Sequence, residues 1–449
     1  MSAQPASDCL SRHASDPTAL TLLQAVAARR AQPWHEAALL AALNANLAHA
    51  RTHSPHYRRT LAAHPQPLPH VAALARLPLT HKDDLRAAYP WGLCAVPAAQ
   101  LARYAESTGT TGGVNAGFVT QRDWLLNHYS VALAWADVLG PQDRVAVAVP
   151  YELSYVGADV DRACELLGAS VLPVSTNNAA CSWRQLLGLL QSHRITTLVC
   201  APLRALRLVL LAREMGLDVA RDLAVRRIVC VGEALSAAKR QRIARDWQAQ
   251  VYNHYGMTEA LSVALPCAAG ALHLAQERFV FELLDPQHER PLSGPGTGEL
   301  VLTTLDQQAL PLLRYRSGDL VRLSPTPCAC GRWQATIELL GRVQDLCPTA
   351  HGPQHLSALD ALLLEEPGIE DLFTTRAQDG QVHISVLPRP GQPWAPTRQR
   401  LDAAVAQHWG GPVQWQVQPR QDWLQRLDSR SKPASALLVQ PPSPARSSP

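Results

Sequence analysis

Between residues 144 and 252 the chain alternates between two kinds of segment. Short apolar runs, RVAVAV, SVLPV, TTLVC and RRIVCV, are separated by amphipathic stretches at 162–167, 183–192, 203–215 and 237–247. Strands this uniformly apolar are buried on both faces, and the intervening helical pattern supplies their cover, so the segment predicts a parallel sheet wrapped by helices. In such sheets ligands bind beyond the carboxyl ends of the strands, which directs attention to the loops after Val231 and Tyr252. Upstream, residues 20–63 carry Leu39, Leu40, Leu43 and Leu47 at helical spacing. Downstream, 279–323 turns to strand-and-turn character, with FVFELLD, a turn around Ser293 to Gly298, ELVLTT and a run ending in Gly318-Asp319-Leu320. This predicts an antiparallel unit joined to the parallel sheet.

A helix at 356–364 and strand-like runs at 371–375 and 382–387 predict a smaller domain that begins near residue 345. The expected fold class is α/β. A large N-terminal domain over 1–343 holds the doubly wound parallel sheet and the antiparallel β unit, and a small mobile α+β domain follows over 344–440. The segment 441–449, PPSPARSSP, is rich in proline and serine with nothing to pack against, and is expected to be disordered. No internal repeat is visible.

Composition narrows the function classes. At 449 residues the chain is long enough for about two or three domains. Its 47% hydrophobic and 17% charged content is globular, and no apolar run approaches the roughly 18 residues of a membrane span. The N-terminus is polar and then amphipathic, without the basic and apolar segments of a secretory leader, so the cytoplasm is the expected compartment. A formal charge of +4, with no lysine- or arginine-dense face, argues against nucleic acid. Ten cysteines in such a chain read as thiols or metal ligands rather than as a disulfide framework. Cys200 and Cys230 end apolar runs and are expected in the core.

The densest chemical signal is Ser107-Thr108-Gly109-Thr110-Thr111-Gly112-Gly113. Glycines permit positive φ and close backbone approach, while serine and threonine hydroxyls donate to anionic oxygens, so such a run can wrap a phosphate chain. It lacks the GxxxxGK[ST] spacing and carries no lysine after its glycines, which sets aside the P-loop kinases and ATPases. Taken alone, such a run is more often a surface loop than a ligand site.

Four further segments follow in order: Gly232-Glu233, Tyr255-Gly256-Met257-Thr258-Glu259, Arg314-Tyr315-Arg316-Ser317-Gly318-Asp319, and Gly341-Arg342. With the glycine run, with Lys82-Asp83-Asp84-Leu85-Arg86 and Tyr89-Pro90-Trp91-Gly92-Leu93, and with GELVLTTLDQQALPLLRYRSGDL at 298–320, the chain resembles the adenylate-forming superfamily, and within it the phenylacetate-CoA ligase family. The resemblance spans nearly the whole chain and implies the roles that follow. Residues 107–112 would hold the β- and γ-phosphates of ATP. Asp319 would accept from both ribose hydroxyls, as an ionised carboxylate can. Glu259 would bind Mg²⁺, a hard cation that prefers oxygen ligands, and Thr258 would touch the AMP phosphate. Gly232, Glu233 and Gly256 would line the adenine, with Tyr255 either stacked on its face or packed as ordinary core. Arg342 would meet ribose or phosphate, and Asp345 would sit at the hinge of a rotating C-terminal domain.

Lys432 lies where the family keeps its adenylation lysine, although Ser431 stands in place of the usual preceding glycine. Two more departures are present. Cys347-Pro348-Thr349-Ala350-His351-Gly352-Pro353 replaces an Arg-Gly-x-Asn-like loop that lines the CoA-binding conformation, and no lysine follows Gly112.

Cys267, His273, Cys328 and Cys330 form C-x5-H followed much later by C-x-C. On spacing alone, a closed zinc site and three unconnected thiols with a surface histidine both remain open. The resemblance, which includes a cysteine and a Gly-Leu-His-like segment after the YGxTE motif and a CxCGR element, implies a structural Zn²⁺.

The expected activity is an ATP-dependent carboxylic acid-CoA ligase that passes through an acyl-adenylate, with ATP, Mg²⁺ and CoA as its co-reactants. The acid pocket is expected between 151–160 and 253–260, where Pro150-Tyr151-Glu152-Leu153-Ser154 is more polar than a simple arylacetate would call for. The alternatives are delivery of the adenylate to a carrier-protein thiol, transfer of AMP to a hydroxyl as in the coenzyme F390 synthetase branch, or a catalytically silent nucleotide-binding protein. The expected partners are small molecules, with neither nucleic acid nor membrane, and a homodimer is common among relatives.

Overall fold

A computed structural model describes residues 10, 17–64, 67–107, 114–176, 181–324, 326–377 and 380–428. Its strands run, in chain order, β1 (Leu101–Glu106), β2 (Ala116–Thr120), β3 (Arg144–Ala148), β4 (Ser170–Pro173), β5 (Thr197–Cys200), β6 (Arg227–Val231), β7 (Gln250–Met257), β8 (Leu261–Pro266), β9 (Leu272–Leu274) and β10 (Phe279–Leu284). They continue with β11 (Pro291–Leu292), β12 (Gly296–Thr304), β13 (Tyr315–Leu323), β14 (Thr336–Arg342), β15 (Leu346–Cys347), β16 (Gln354–His355), β17 (Ile369–Arg376), β18 (Val382–Pro388) and β19 (Val413–Val417). The largest sheet has 12 strands in the order β11-β10-β12-β13-β14-β9-β8-β7-β6-β5-β3-β4.

Its parallel half is built as the apolar runs predict. Val145 and Val147 face one side, where they pack with helices Pro17–Ala31, Gln121–Trp135 and Val156–Leu166. Ala146 and Ala148, one residue out of phase, face the other side with helices Trp183–Ser192, Pro202–Glu214 and Ala237–Trp247. The period-two alternation of a strand therefore feeds two separate cores. Cys200 and Cys230 are fully buried in the second of them. Each fully buried valine or leucine stabilises by roughly 1.5–3 kcal/mol relative to exposure.

The antiparallel unit is continuous with this sheet, and β7 is the junction. Residues 250–254 pair parallel with β6, whereas Tyr255, Gly256 and Met257 pair antiparallel with β8 after a register shift at Tyr255/Gly256. The expected loop after Tyr252 is thus strand as far as Met257, and the turn comes at 258–260. β7 lies between these two strands, its pairing with β6 ending at Val231 and His254 and its opposite edge pairing with β8 from Tyr255.

A hairpin of β1 and β2 brackets the glycine run. Beyond Arg342, β17 and β18 pair antiparallel and β19 joins β18 in parallel. Helices Leu356–Leu364 and Trp394–Ala404 cover this sheet, with a core of their own around Leu359, Ile369, Ile384, Leu401 and Trp409. The final described helix, Arg420–Asp428, inserts Trp423 and Leu427 into the core on the helical side of the large sheet. Among the described residues no helix is long and apolar enough to cross a membrane. The tail at 441–449 lies outside the described residues.

Candidate active site

β13 and β14 place Asp319 directly opposite Arg342. Asp319 Oδ1 lies 3.1 Å from Arg342 Nε, and Tyr255 donates its hydroxyl to Asp319 Oδ2 at 2.5 Å. Asp319 is only 4% exposed. Burial holds its carboxyl above the ordinary aspartate range, against the opposing pull of Arg342, the Tyr255 hydrogen bond and Lys82. Gly318 precedes it with φ +71°, a conformation that favours glycine.

The turn after β7 supplies the next groups. Glu259 is buried and accepts a hydrogen bond from the Tyr315 hydroxyl. The backbone of Thr258 sits against Gly117, where an added Cβ would come within 2.3 Å of the Thr258 oxygen. Tyr155 donates its hydroxyl to the Gly117 carbonyl at 2.6 Å, tying the β1–β2 hairpin to the start of the Val156–Leu166 helix. The hairpin closes at its tip: Ser107 N–H donates to Asn115 O at 2.8 Å, and Asn115 N–H donates to Ser107 Oγ at 2.9 Å. The strand that follows the glycine run is thus packed at Gly117 against Thr258. Thr108, Gly109, Thr110, Thr111 and Gly112 themselves lie outside the described residues, as does Lys432.

A cavity of about 350 Å³ opens beyond the carboxyl ends of β6 and β7, within the size range of small-ligand clefts. Gly232, Glu233, Tyr255, Gly256, Asp319 and Arg342 all line it, so the structure brings together six of the residues singled out from sequence. Its far wall comes from the C-terminal module through Asp345, His355 and Asp360. That module is held by charge pairs absent from the sequence reading: Lys239 Nζ to Asp360 Oδ2 at 3.0 Å, and Arg207 Nε to Asp371 Oδ2 at 3.1 Å. Trp423 Nε1 donates to the same Asp371 oxygen at 2.8 Å. Their partners are far apart in sequence, and no local pattern announces them.

Segment 151–160 is tied down by its own side chains. Tyr151 donates to Asp161 at 2.7 Å, and Ser175 donates to Glu152. Between the Val156–Leu166 helix and β8 lies a buried polar cluster, in which Asp159 accepts from Asn127 at 2.6 Å and from Ser262 at 3.0 Å. Burial raises the Asp159 carboxyl to about 6. It also lowers the neighbouring imidazoles of His128 and His254 to about 3 and about 4.

On the other side of the antiparallel half, Cys267, His273, Cys328 and Cys330 converge, with all four ligand atoms within 4.8 Å of one another. Cys267 Sγ and Cys328 Sγ are 3.8 Å apart, and Cys330 Sγ lies 3.3 Å from His273 Nε2. A tetrahedral zinc places two thiolates about 3.8 Å apart and a thiolate and an imidazole nitrogen about 3.5 Å apart, so the donor set and its spacing fit. His273 is buried rather than on the surface. Its Nδ1 lies 2.8 Å from the Gln334 carbonyl, which can only accept, so the hydrogen sits on Nδ1 and Nε2 turns a lone pair to the sulfurs.

The family model for the AMP-binding enzyme matches residues 98–304. The phenylacetate-coenzyme A ligase of Thermus thermophilus is 32% identical over 324 residues, covering 70% of this chain and 72% of that one. Among solved structures, 2-hydroxyisobutyryl-CoA ligase in the postadenylation state, in complex with 2-HIB-AMP, overlays with a TM-score of 0.79 at 21% identity, covering 89% of this chain and 94% of that one. The same ligase with 2-HIB-AMP and CoA in the thioesterification state gives 0.66 at 23% identity, covering 87% and 88%.

Proposed function

Because the chain belongs to the phenylacetate-coenzyme A ligase family and is an ATP-dependent, AMP-forming acid-coenzyme A ligase, we propose that it activates a small organic acid as an acyl-adenylate in the cavity bounded by Gly232, Tyr255, Asp319 and Arg342. The observation that carries the reading is the buried Asp319 carboxylate, held between Arg342 and the Tyr255 hydroxyl at the cavity wall. A ribose presents two adjacent hydroxyl donors, and an ionised carboxylate is an acceptor with lone pairs left over after two protein bonds.

The remaining roles are those the family resemblance implies. Gly232, with φ +83°, bends the backbone after β6 so that the adenine lies against Gly232 and Glu233, with the Tyr255 ring beside it. The Thr258 hydroxyl meets the α-phosphate, and the glycine run, from Ser107 through Thr108, Gly109, Thr110, Thr111 and Gly112, wraps the β- and γ-phosphates. Magnesium neutralises charge between phosphate oxygens when bound, and Glu259, steadied by Tyr315, is the carboxylate that would hold it. Lys432 carries the role that the family resemblance implies, that of a cation brought to the reacting phosphate.

In the first half-reaction a carboxylate oxygen of the acid bonds to the α-phosphorus while the bond to pyrophosphate breaks. In the second, the coenzyme A sulfur bonds to the acyl carbon and AMP leaves. The chain contributes alignment and preplaced charge rather than a covalent intermediate. Lys239–Asp360 and Arg207–Asp371 hold the C-terminal module against the cavity. The better overlay with the postadenylation form supports reading this as the adenylation arrangement. The cluster of Cys267, His273, Cys328 and Cys330 is read as a structural zinc site, since four protein ligands leave no open position for catalysis.

The test is pyrophosphate release over a panel of aromatic and aliphatic acids, with and without coenzyme A. The expected result is acid-dependent release, with an acyl-CoA product wherever coenzyme A is present. Acid-dependent ATP–pyrophosphate exchange without any thioester would overturn coenzyme A as the acceptor.

A further inference from the structure

Lys82 opens the Lys82–Ala87 helix, and its place is set two residues earlier. Thr80 bridges to Tyr315, with its N–H donating to Arg314 O at 3.0 Å and its carbonyl accepting from Arg316 N–H at 2.9 Å. Thr80 Oγ1 also donates to Leu313 O at 2.7 Å. The lysine side chain then runs alongside β13 as far as Gly318, where an added Cβ would lie 3.2 Å from Nζ.

The ammonium is half-buried, and the charges that face it are Arg342, Glu259, Asp319 and Arg86. Among the described residues none gives it an ion pair or a hydrogen bond. The nearby carboxylates are already engaged, Asp319 by Arg342 and Tyr255, and Glu259 by Tyr315. Burial lowers the Lys82 pKa, and repulsion from Arg342 adds to it, partly offset by Glu259 and Asp319. A partly desolvated cation without a partner is costly unless an anion arrives to meet it.

We propose that Lys82 is a phosphate-binding residue of the nucleotide site, its ammonium taking an α-phosphate oxygen of ATP and then of the acyl-adenylate. The inference rests on the reading of Asp319 and Glu259 as nucleotide ligands. The α-phosphate joins the ribose to the rest of the phosphate chain, so a cation flanked by the ribose-side pair Asp319 and Arg342 and by the phosphate-side Glu259 is placed to reach it. The glycine run carries no lysine after Gly112, which leaves this charge to be supplied from elsewhere in the fold. The carboxylate of the acid is the competing anion. The acid is expected between residues 151–160 and 253–260, and it is disfavoured as the partner because Asp319 and Arg342, two of the groups that face Lys82, are read as ribose-side ligands.

The experiment is calorimetric binding of AMP and of adenosine to the wild-type enzyme, Lys82→Met and Lys82→Arg, with ATP and acid KM values measured alongside. Methionine keeps the apolar stem and its packing. Lys82→Met is expected to weaken AMP about tenfold or more, the loss of one charge-assisted hydrogen bond, and to change adenosine by less than about twofold. Lys82→Arg is expected to recover part of the loss, and the ATP KM to rise while the acid KM holds. Equal losses for AMP and adenosine, or no loss for AMP, would overturn the proposal, and a rise confined to the acid KM would transfer the residue to the acid's carboxylate. A wild-type enzyme that binds neither AMP nor adenosine overturns the nucleotide site itself, and the role of Lys82 with it.

Discussion

The Tyr255 hydroxyl donates to Asp319 Oδ2 at 2.5 Å across 64 residues of sequence, joining β7, the last strand of the parallel half, to the antiparallel half at one carboxylate. That bond and the Arg342 pair leave Asp319 oriented before any ligand arrives. Asp319→Asn keeps the shape and loses the charge. Because charge-assisted bonds contribute about 1.5–3 kcal/mol each, ATP–pyrophosphate exchange at subsaturating ATP is expected to fall about 100-fold or more. Tyr255→Phe removes one orienting bond, with an expected loss of about five- to tenfold. Since burial raises the Asp319 pKa, the carboxylate protonates at a higher pH than an exposed aspartate does. The ATP KM is therefore expected to climb on the acid side, and a pH profile of KM that is flat through that range would contradict this.

The Lys239–Asp360 pair spans the large domain and the C-terminal module with both side chains largely buried. Removing one partner strands a buried charge, at a cost of about 3–5 kcal/mol, whereas removing both costs less. Lys239→Met and Asp360→Leu are each expected to slow adenylation strongly, and the double variant to recover much of the loss. A double-mutant cycle on the single-turnover rate checks this, with a coupling of about 1–3 kcal/mol expected.

Zinc analysis of the purified protein is expected to give one equivalent per chain, lost in Cys330→Ser. Chelation is expected to lower the melting temperature, because the four ligands tie the turn at Cys267 to the segment before β14. Full zinc content in a Cys267→Ser, Cys330→Ser double variant would refute the assignment.

Stability is expected to fall between pH 7 and pH 5. His128 and His254 are depressed to about 3 and about 4, so the unfolded chain takes up protons near 6.5 while the folded chain does not. Each imidazole then forfeits about 2 kcal/mol over that interval. Asp159 acts in the opposite sense: its folded pKa, raised to about 6, lets the native state take up a proton first and return about 1 kcal/mol. The net loss from these three groups is about 2–3 kcal/mol, measurable by urea unfolding at the two pH values. His254→Asn is expected to flatten the difference even as it lowers stability at pH 7.

The parallel strands were legible because consecutive valines bury on both faces, and Leu356–Leu364 because its leucines repeat at helical spacing. The β1–β2 hairpin escaped notice because LARYAE is half polar and leaves Tyr104 exposed, so no alternation marks it. Tyr255-Gly256 read as loop because the glycine lies at a bulge, whose pairing only the partner strand β8 reveals. For His273, spacing alone left a surface position open beside the metal-ligand reading, because nothing local records that β14 covers it. Lys82 carried no assigned role because the Thr80–Tyr315 bridge that aims it is a tertiary contact. Asp319 and Glu259 could be singled out because each sits inside a longer motif, whereas Arg342 stood out only as Gly341-Arg342 read in order with the others.

The change of partner along β7 has one more consequence. Side chains on a strand alternate faces, so a slip of one residue against β8 would turn Tyr255 away from Asp319 and break the parallel pairing with β6 at the same stroke. The nucleotide end of the catalyst is thereby welded to the scaffold. Any retuning toward a new acid is therefore expected away from β7, on the 151–160 side expected to face the acid, and even there Tyr151 and Glu152 are held by Asp161 and Ser175.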